Sequence, residues 1–421
     1  MLSTGFLMLN PLLAHYVSKL LSHRPQPTAV LLGLPLLNPM ETKQCNHKAP
    51  SYGLYIWRGF INGSAPAYPG DRILDAAFRL DKPVVYLAMN YRLGIYGFPP
   101  GQQSEDAGTL NLGLKDQRLA LEWVNKNIEF FGGDPTKVMI FGESAGAMSV
   151  GYQMMYKDGD IGGVFGAALM QSGSPSTYTA LPASYPPRQA AYNFIVKATG
   201  CVDGGFECLR NANTETLKQA NYDVFKLPPN LVSLDPYPTA VGPTLSSNDP
   251  FLSRPPRKPI QEGKFAKVPF ICGTNLDEGT LFTTNPSTTQ DVASFLTTQL
   301  AALTFVITNT TTVEQLLKYY PTDPSAGTNE LRVSSVTSYL KLHEETPYKQ
   351  LQNWGFLHGP ISITIIDYWL SFAYKLNPSR VSWPAYGVLG NSLKLEAGNT
   401  TVIRDDFRSD AIDYIRSNIL T

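Results

Sequence analysis

The residue best placed to do chemistry is Ser144, which stands in Gly142-Glu143-Ser144-Ala145-Gly146. A serine hydroxyl is a poor nucleophile until a base takes its proton and fixed donors stabilise the oxyanion its attack creates. A Gly-x-Ser-x-Gly stretch suits that task when it follows a strand and opens a helix, because the sharp turn lifts the hydroxyl clear of the sheet. Glycines close such a turn where larger side chains would strike the neighbouring strand and helix. The helix start then aims backbone N–H groups at developing negative charge. The pattern alone is weak, since Gly and Ser are common in loops. Its neighbours strengthen it: Val138-Met139-Ile140-Phe141 reads as a short apolar strand, and Ala145 to Val150 can begin a helix. The chemistry implied is acyl transfer through a covalent serine intermediate, and it needs a histidine and a carboxylate from elsewhere in the chain.

The elements that must position this serine are legible around it. Val84 to Met89 is apolar and β-rich, as a buried parallel strand should be. Leu112 to Phe131 reads as a helix, with Leu119, Leu121, Val124 and Ile128 at three- and four-residue spacing. Gly132-Gly133-Asp134-Pro135 stops it and turns the chain. Gly162 to Met170 and Val268 to Cys272 supply further strands, and Asp405 to Ile419 reads as a terminal amphipathic helix. Such alternation predicts a mostly parallel sheet covered on both faces. Proline-rich connections between Pro182 and Pro259 suggest an excursion of the kind that forms the rim and lid of a cleft. Residues 1–50 lack a steady period, so the expected organisation is an irregular amino-terminal segment followed by one domain over 51–421.

Composition narrows the partners. Lys plus Arg and Asp plus Glu both number 34, which leaves no basic surplus to neutralise a phosphate backbone and argues against nucleic acid. Met1 to Leu13 is apolar but lacks the basic start and small-residue cleavage site of a signal peptide. No uncharged apolar run is long enough to span a bilayer, so no integral membrane segment is expected. Cys201 and Cys208 enclose a short Gly-rich loop whose spacing can close a disulfide, with no histidine nearby for a metal site. A bridge there implies an oxidising compartment, and the triplets Asn62-Gly63-Ser64, Asn309-Thr310-Thr311 and Asn399-Thr400-Thr401 agree with secretion.

Four blocks in order carry a family resemblance: Asn90-Tyr91-Arg92-Leu93-Gly94, Leu112 to Val124, Phe131-Gly132-Gly133-Asp134-Pro135, and the Ser144 motif. Together they resemble the type-B carboxylesterase/lipase family, which includes cholinesterases and secreted fungal lipases, and the wording is closest to the fungal branch. The likeness is dense from Asn62 to Ser174 and patchy afterwards. It implies an α/β-hydrolase fold, a mostly parallel central sheet with helices on both faces and a lid excursion. It also implies a serine carboxylic-ester hydrolase with no metal or organic cofactor, acting on a small-molecule or lipid ester.

The resemblance assigns the remaining roles residue by residue. The family places its acid in a G-x-N-x-D-E-G block, matched by Gly273-Thr274-Asn275-Leu276-Asp277-Glu278-Gly279, so Glu278 would orient the catalytic imidazole. Its chain order of serine, acid, histidine disfavours His15, His23 and His47. His343 reads as the charged surface of a helix, whereas His358 in Leu357-His358-Gly359 resembles the family's histidine loop. His358 is therefore the expected base; without its neighbours it would read as a solvent-facing loop residue. Glu143 and Ser172 resemble supporting positions beside the nucleophile and the acid. The oxyanion donors would be the N–H groups of Ala145 and Gly59, with Arg58 beside them.

The chain departs from the family at that last feature. A glycine-rich turn is replaced by Trp57-Arg58-Gly59-Phe60. The stretch from Glu278 to His358 is shorter than the family's, and Cys45 has no recognisable partner for the family's first disulfide. These departures keep a second reading open, a catalytically impaired or silent member serving as a binding protein. A peptidase or acyltransferase on the same fold is a more distant third, because fold and triad alone do not fix the acyl acceptor.

Overall fold

Five apolar or weakly apolar stretches pair into one parallel sheet: β1 (Ala49–Tyr55), β2 (Val85–Met89), β3 (Gly133–Glu143), β4 (Ala167–Gln171) and, near the middle of the chain, β7 (Phe270–Gly273). Short strands β5 (Leu181–Pro182) and β6 (Thr244–Leu245) pair separately. The computed structural model describes residues 49–55, 59–68, 70–177, 180–227, 240–275, 289–294, 310–319, 360–376, 386, 390–396, 399–406 and 409–418. The sheet order is β2-β1-β3-β4-β7, with every pairing parallel. Chain direction across the sheet reverses beside β1: the chain moves outward to β2, then crosses back to β3. In an open parallel sheet this switch point, at the carboxyl ends of the strands, is where a crevice forms.

The pleat divides the core in two. Tyr86, Ala88, Met139 and Phe141 pack on one side with Ala76 and Ala77 of helix α1 (Asp71–Arg79). They are joined there by Trp369 and Phe372 of a later helix (Pro360–Lys375). Val85, Leu87, Met89, Val138 and Ile140 face the other way, against Leu121 and Val124 of α2 (Leu112–Asn127) and Val150 and Met154 of α3 (Ala145–Met155). Helices on both faces of a parallel sheet are the architecture expected from the sequence. The 360–375 helix, α4, is tied to α1 by Arg79 and Asp367 at 2.9 Å, and Lys82 donates to the Ser371 hydroxyl at 2.8 Å.

Several boundaries shift for local reasons. The α-helix predicted over 112–131 ends at Asn127 and tightens into a 3₁₀ turn over Ile128–Phe131. Gly132 then stops it with a left-handed φ of 78°, the usual role of glycine past a helix end. β4 begins at Ala167 rather than Gly162, because Gly162 and Gly163 adopt positive φ and turn the chain first. The predicted terminal helix is Ser409–Asn418, preceded by a hairpin of β8 (Asn391–Glu396) and β9 (Asn399–Arg404) that the sequence reading did not anticipate. Within the proline-rich excursion, helices run over Pro186–Ala198, Gly205–Asn211 and Thr214–Asp223. Cys201 and Cys208 are disulfide-bonded there, with Cα atoms 5.5 Å apart.

Candidate active site

Strand register brings the described candidate residues to one end of the sheet. Tyr55 of β1 lies beside Gly142 of β3, Glu143 beside Gln171 of β4, and Gln171 beside Gly273 of β7. The turns that leave these strands therefore emerge from the same end of the sheet. They carry Gly59, Ser144, Ser172 and Asn275.

Ser144 has φ 51° and ψ −119°, outside the conformations an ordinary L residue prefers. Such strain costs of order 1–3 kcal/mol and persists only where the surroundings over-determine it. Here they do. The Ser144 N–H donates to the Gln171 carbonyl at 2.9 Å, and the Ser144 carbonyl accepts from Met148 N–H at 3.0 Å. A Cβ on Gly142 would stand 2.5 Å from the Gly146 carbonyl carbon, so glycine is required where strand meets helix. Ala145 is fully buried at the first position of α3, where backbone N–H groups have no intrahelical acceptor. Ser144 itself is half-buried.

The turn expected to supply the oxyanion donor is described from Gly59 onward. Gly59 and Phe60 both adopt left-handed φ, 59° and 65°. Phe60 is held there by burial, by an edge-on contact with Phe98 at 5.1 Å, and by its carbonyl accepting the Gly94 N–H at 2.9 Å. Trp57 and Arg58 lie outside the described residues. Glu143 is buried at the end of β3. Glu278, His343 and His358 also lie outside the described residues. The approach to Glu278 is visible up to Asn275. The Ser172 N–H donates to the Gly273 carbonyl at 2.8 Å, and the Asn275 side-chain amide donates to the Ser172 hydroxyl at 3.2 Å. Ser172, like Ser144, has a φ of 51°. The Asn275–Ser172 contact joins the turn after β4 to the turn after β7; the sequence resemblance puts Ser172 near the acid block without naming this hydrogen bond.

The motif blocks acquire physical roles. Asn90 accepts the Ala65 N–H at 2.9 Å, and Arg92 grips Asp116 with two side-chain bonds at 2.7 and 2.8 Å. Gln117 donates to the Ser149 hydroxyl at 3.1 Å, and Gln153 donates to the Leu114 carbonyl at 3.0 Å. Gln117, Ser149, Gln153 and Leu114 are fully buried between α2 and α3, the helix that follows Ser144. Burial pushes the nearby Tyr91 phenol well above its ordinary pKa, against hydrogen bonds to Ser149 and Gln117 that favour the phenolate, so it stays protonated. The network locks the helix that carries Ser144 at its amino end.

Residues 41–354 match the carboxylesterase family. The chain belongs to that family. This carboxylesterase is thereby a carboxylic ester hydrolase of the α/β-hydrolase fold. It is 30% identical to a secreted triacylglycerol lipase of Gibberella zeae, over 92% of this chain and 74% of the relative. It is 36% identical to lipase 2 of Geotrichum candidum, over 87% of this chain and 74% of the relative. The crystal structure of Aspergillus niger EstA superposes with a TM-score of 0.67 at 22% identity, covering 88% of this chain and 80% of that one, which shows a common fold. The likeness to secreted fungal lipases agrees with the fungal branch expected from the motif blocks. Among the described residues, no helix of this carboxylesterase is long and apolar enough to cross a membrane.

Proposed function

We propose that this chain hydrolyses carboxylic esters through an acyl-enzyme on Ser144, with His358 as general base and acid and Glu278 as its orienting partner. Ser144 attacks the ester carbonyl while His358 takes the hydroxyl proton and later delivers it to the leaving alcohol. Water then attacks the acyl-enzyme by the same route in reverse. The N–H groups of Ala145 and Gly59 stabilise the oxyanion, each such donor being worth about 3 kcal/mol of transition-state stabilisation. The observation that carries this reading is the strained backbone of Ser144 between β3 and α3, held by the Gln171 carbonyl. Relatives named as secreted lipases support an extracellular enzyme and a lipid ester among its substrates.

A fluorophosphonate probe tests it. The wild-type chain should label once and turn over a short-chain aryl ester, and Ser144→Ala should remove both, lowering kcat roughly 10⁴- to 10⁶-fold. Labelling or turnover that survives in folded Ser144→Ala would overturn the assignment of Ser144.

A further inference from the structure

The loop that follows the oxyanion turn carries Asn62-Gly63-Ser64, an acceptor triplet for an N-linked glycan. Both ends of the loop are anchored. The Phe60 carbonyl accepts the Gly94 N–H at 2.9 Å, and the Ala65 N–H donates to the Asn90 side-chain oxygen at 2.9 Å. Phe60 and Ala65 are buried, whereas Asn62, Gly63 and Ser64 between them are all exposed. Gly63 takes a φ of 130° and Ser64 is extended, so the triplet stands out from two fixed points without belonging to a helix or strand. Among the described residues, none hydrogen-bonds the Asn62 amide.

The other two triplets differ. Asn309 lies outside the described residues. Asn399-Thr400-Thr401 opens β9, where Thr400 pairs with Leu395 and Thr401 with Lys394, which commits that triplet to an antiparallel ladder.

We propose that Asn62 is an N-glycosylation site whose glycan stands beside the end of the sheet that carries Ser144. The loop is anchored on Asn90 and Gly94, just after β2, and Met89 of β2 and Gly142 of β3 both pair with Tyr55 of β1, so the loop lies at the same end of the sheet as Ser144. In the modification, the Asn62 amide nitrogen bonds to the anomeric carbon of a lipid-pyrophosphate-linked oligosaccharide. The bond from that carbon to the pyrophosphate oxygen breaks, the lipid pyrophosphate leaves, and the amide gives up one proton to the transferring enzyme. The proposal is independent of the triad assignment and requires only entry to the secretory route.

The test expresses the full chain behind a secretion leader in a glycosylating fungal host. Secreted protein is treated with peptide N-glycosidase in heavy-oxygen water, and the peptide spanning Asn62 is read by mass spectrometry. The expected result is conversion of Asn62 to heavy-oxygen-labelled aspartate in most molecules. Asn62→Gln and Ser64→Ala should each remove one glycan step in gel mobility, and Ser64→Thr should keep it. An unmodified Asn62 peptide from folded, secreted wild-type protein overturns the proposal. The wild-type peptide decides the matter even if a variant fails to be secreted.

Discussion

Gly173 approaches Ser144 so closely that a Cβ on it would lie 2.6 Å from the Ser144 carbonyl oxygen and 3.0 Å from the Ala147 side chain. The turn after β4 thus presses directly on the Ser144 turn. Gly173→Ala should force the two turns apart. Overpacking of this kind costs about 1–3 kcal/mol, and a displaced nucleophile loses rate out of proportion to stability. The expected outcome is a lowered Tm together with a fall in kcat larger than any change in KM. Wild-type kinetics in the variant would show that the elbow tolerates the shift.

Arg58 stands directly before the left-handed pair Gly59 and Phe60, at a position that the sequence resemblance matches to a glycine. A Cβ restricts backbone rotation at such a position. Arg58→Gly should restore an oxyanion donor and raise kcat by up to about a hundredfold with KM little altered. Steady-state kinetics on a soluble aryl ester checks this. An unchanged or reduced kcat would mean that Arg58 contributes to the site in its own right.

The base and acid assignments separate by comparison. His358→Ala should abolish both turnover and fluorophosphonate labelling, while His343→Ala should preserve them. Glu278→Gln should lower kcat by about 10⁴-fold, since an amide in place of the carboxylate holds the imidazole in the wrong tautomer. Loss of activity in His343→Ala alone would transfer the role to that residue.

The bridge between Cys201 and Cys208 closes a short loop between two helices, and Cys201 is buried. Chain-entropy arguments give such a loop about 2 kcal/mol of stabilisation. The Cys201→Ser, Cys208→Ser double variant should unfold at lower denaturant with little change in kcat at low temperature. Equal midpoints for the two proteins would show that the helices hold the loop without the bridge.

At the opposite end of the sheet from Ser144, Arg254 bridges Asp158 at 2.7 Å and Glu262 at 2.8 Å. The hydrogen bond from Arg254, opposed by slight desolvation and reinforced by the nearby cations, holds the Asp158 carboxyl below its ordinary value of 3.8. A carboxyl depressed in the folded state stabilises the fold above its unfolded pKa and loses that contribution as pH falls through the folded value. The protein should therefore lose stability as pH falls below about 4. Arg254→Gln should flatten that part of the Tm–pH curve, and an identical acid limb in the variant would assign the loss to other carboxyls.

The local chemistry was written in the sequence because it depends on neighbours in the chain. An apolar strand, two glycines around a serine and a helix start together specify the elbow, and the Ser144 backbone adopts the strained turn they imply. The Cys201–Cys208 loop was legible for the same reason. Only the tertiary structure decided what lies across from these elements. β1 is built from weak strand formers, Ala49-Pro50-Ser51-Tyr52-Gly53-Leu54-Tyr55, and exists because β2 and β3 pair with it on both sides. The Asn275–Ser172 contact and the buried Gln117–Ser149 bond join residues 103 and 32 positions apart, beyond the reach of any local periodicity. Strand order and register, which no single segment encodes, bring the turns after β1, β3, β4 and β7 to one end of the sheet. The sequence thus specified the strained turn at Ser144, and packing between distant strands specified the surroundings in which it is held.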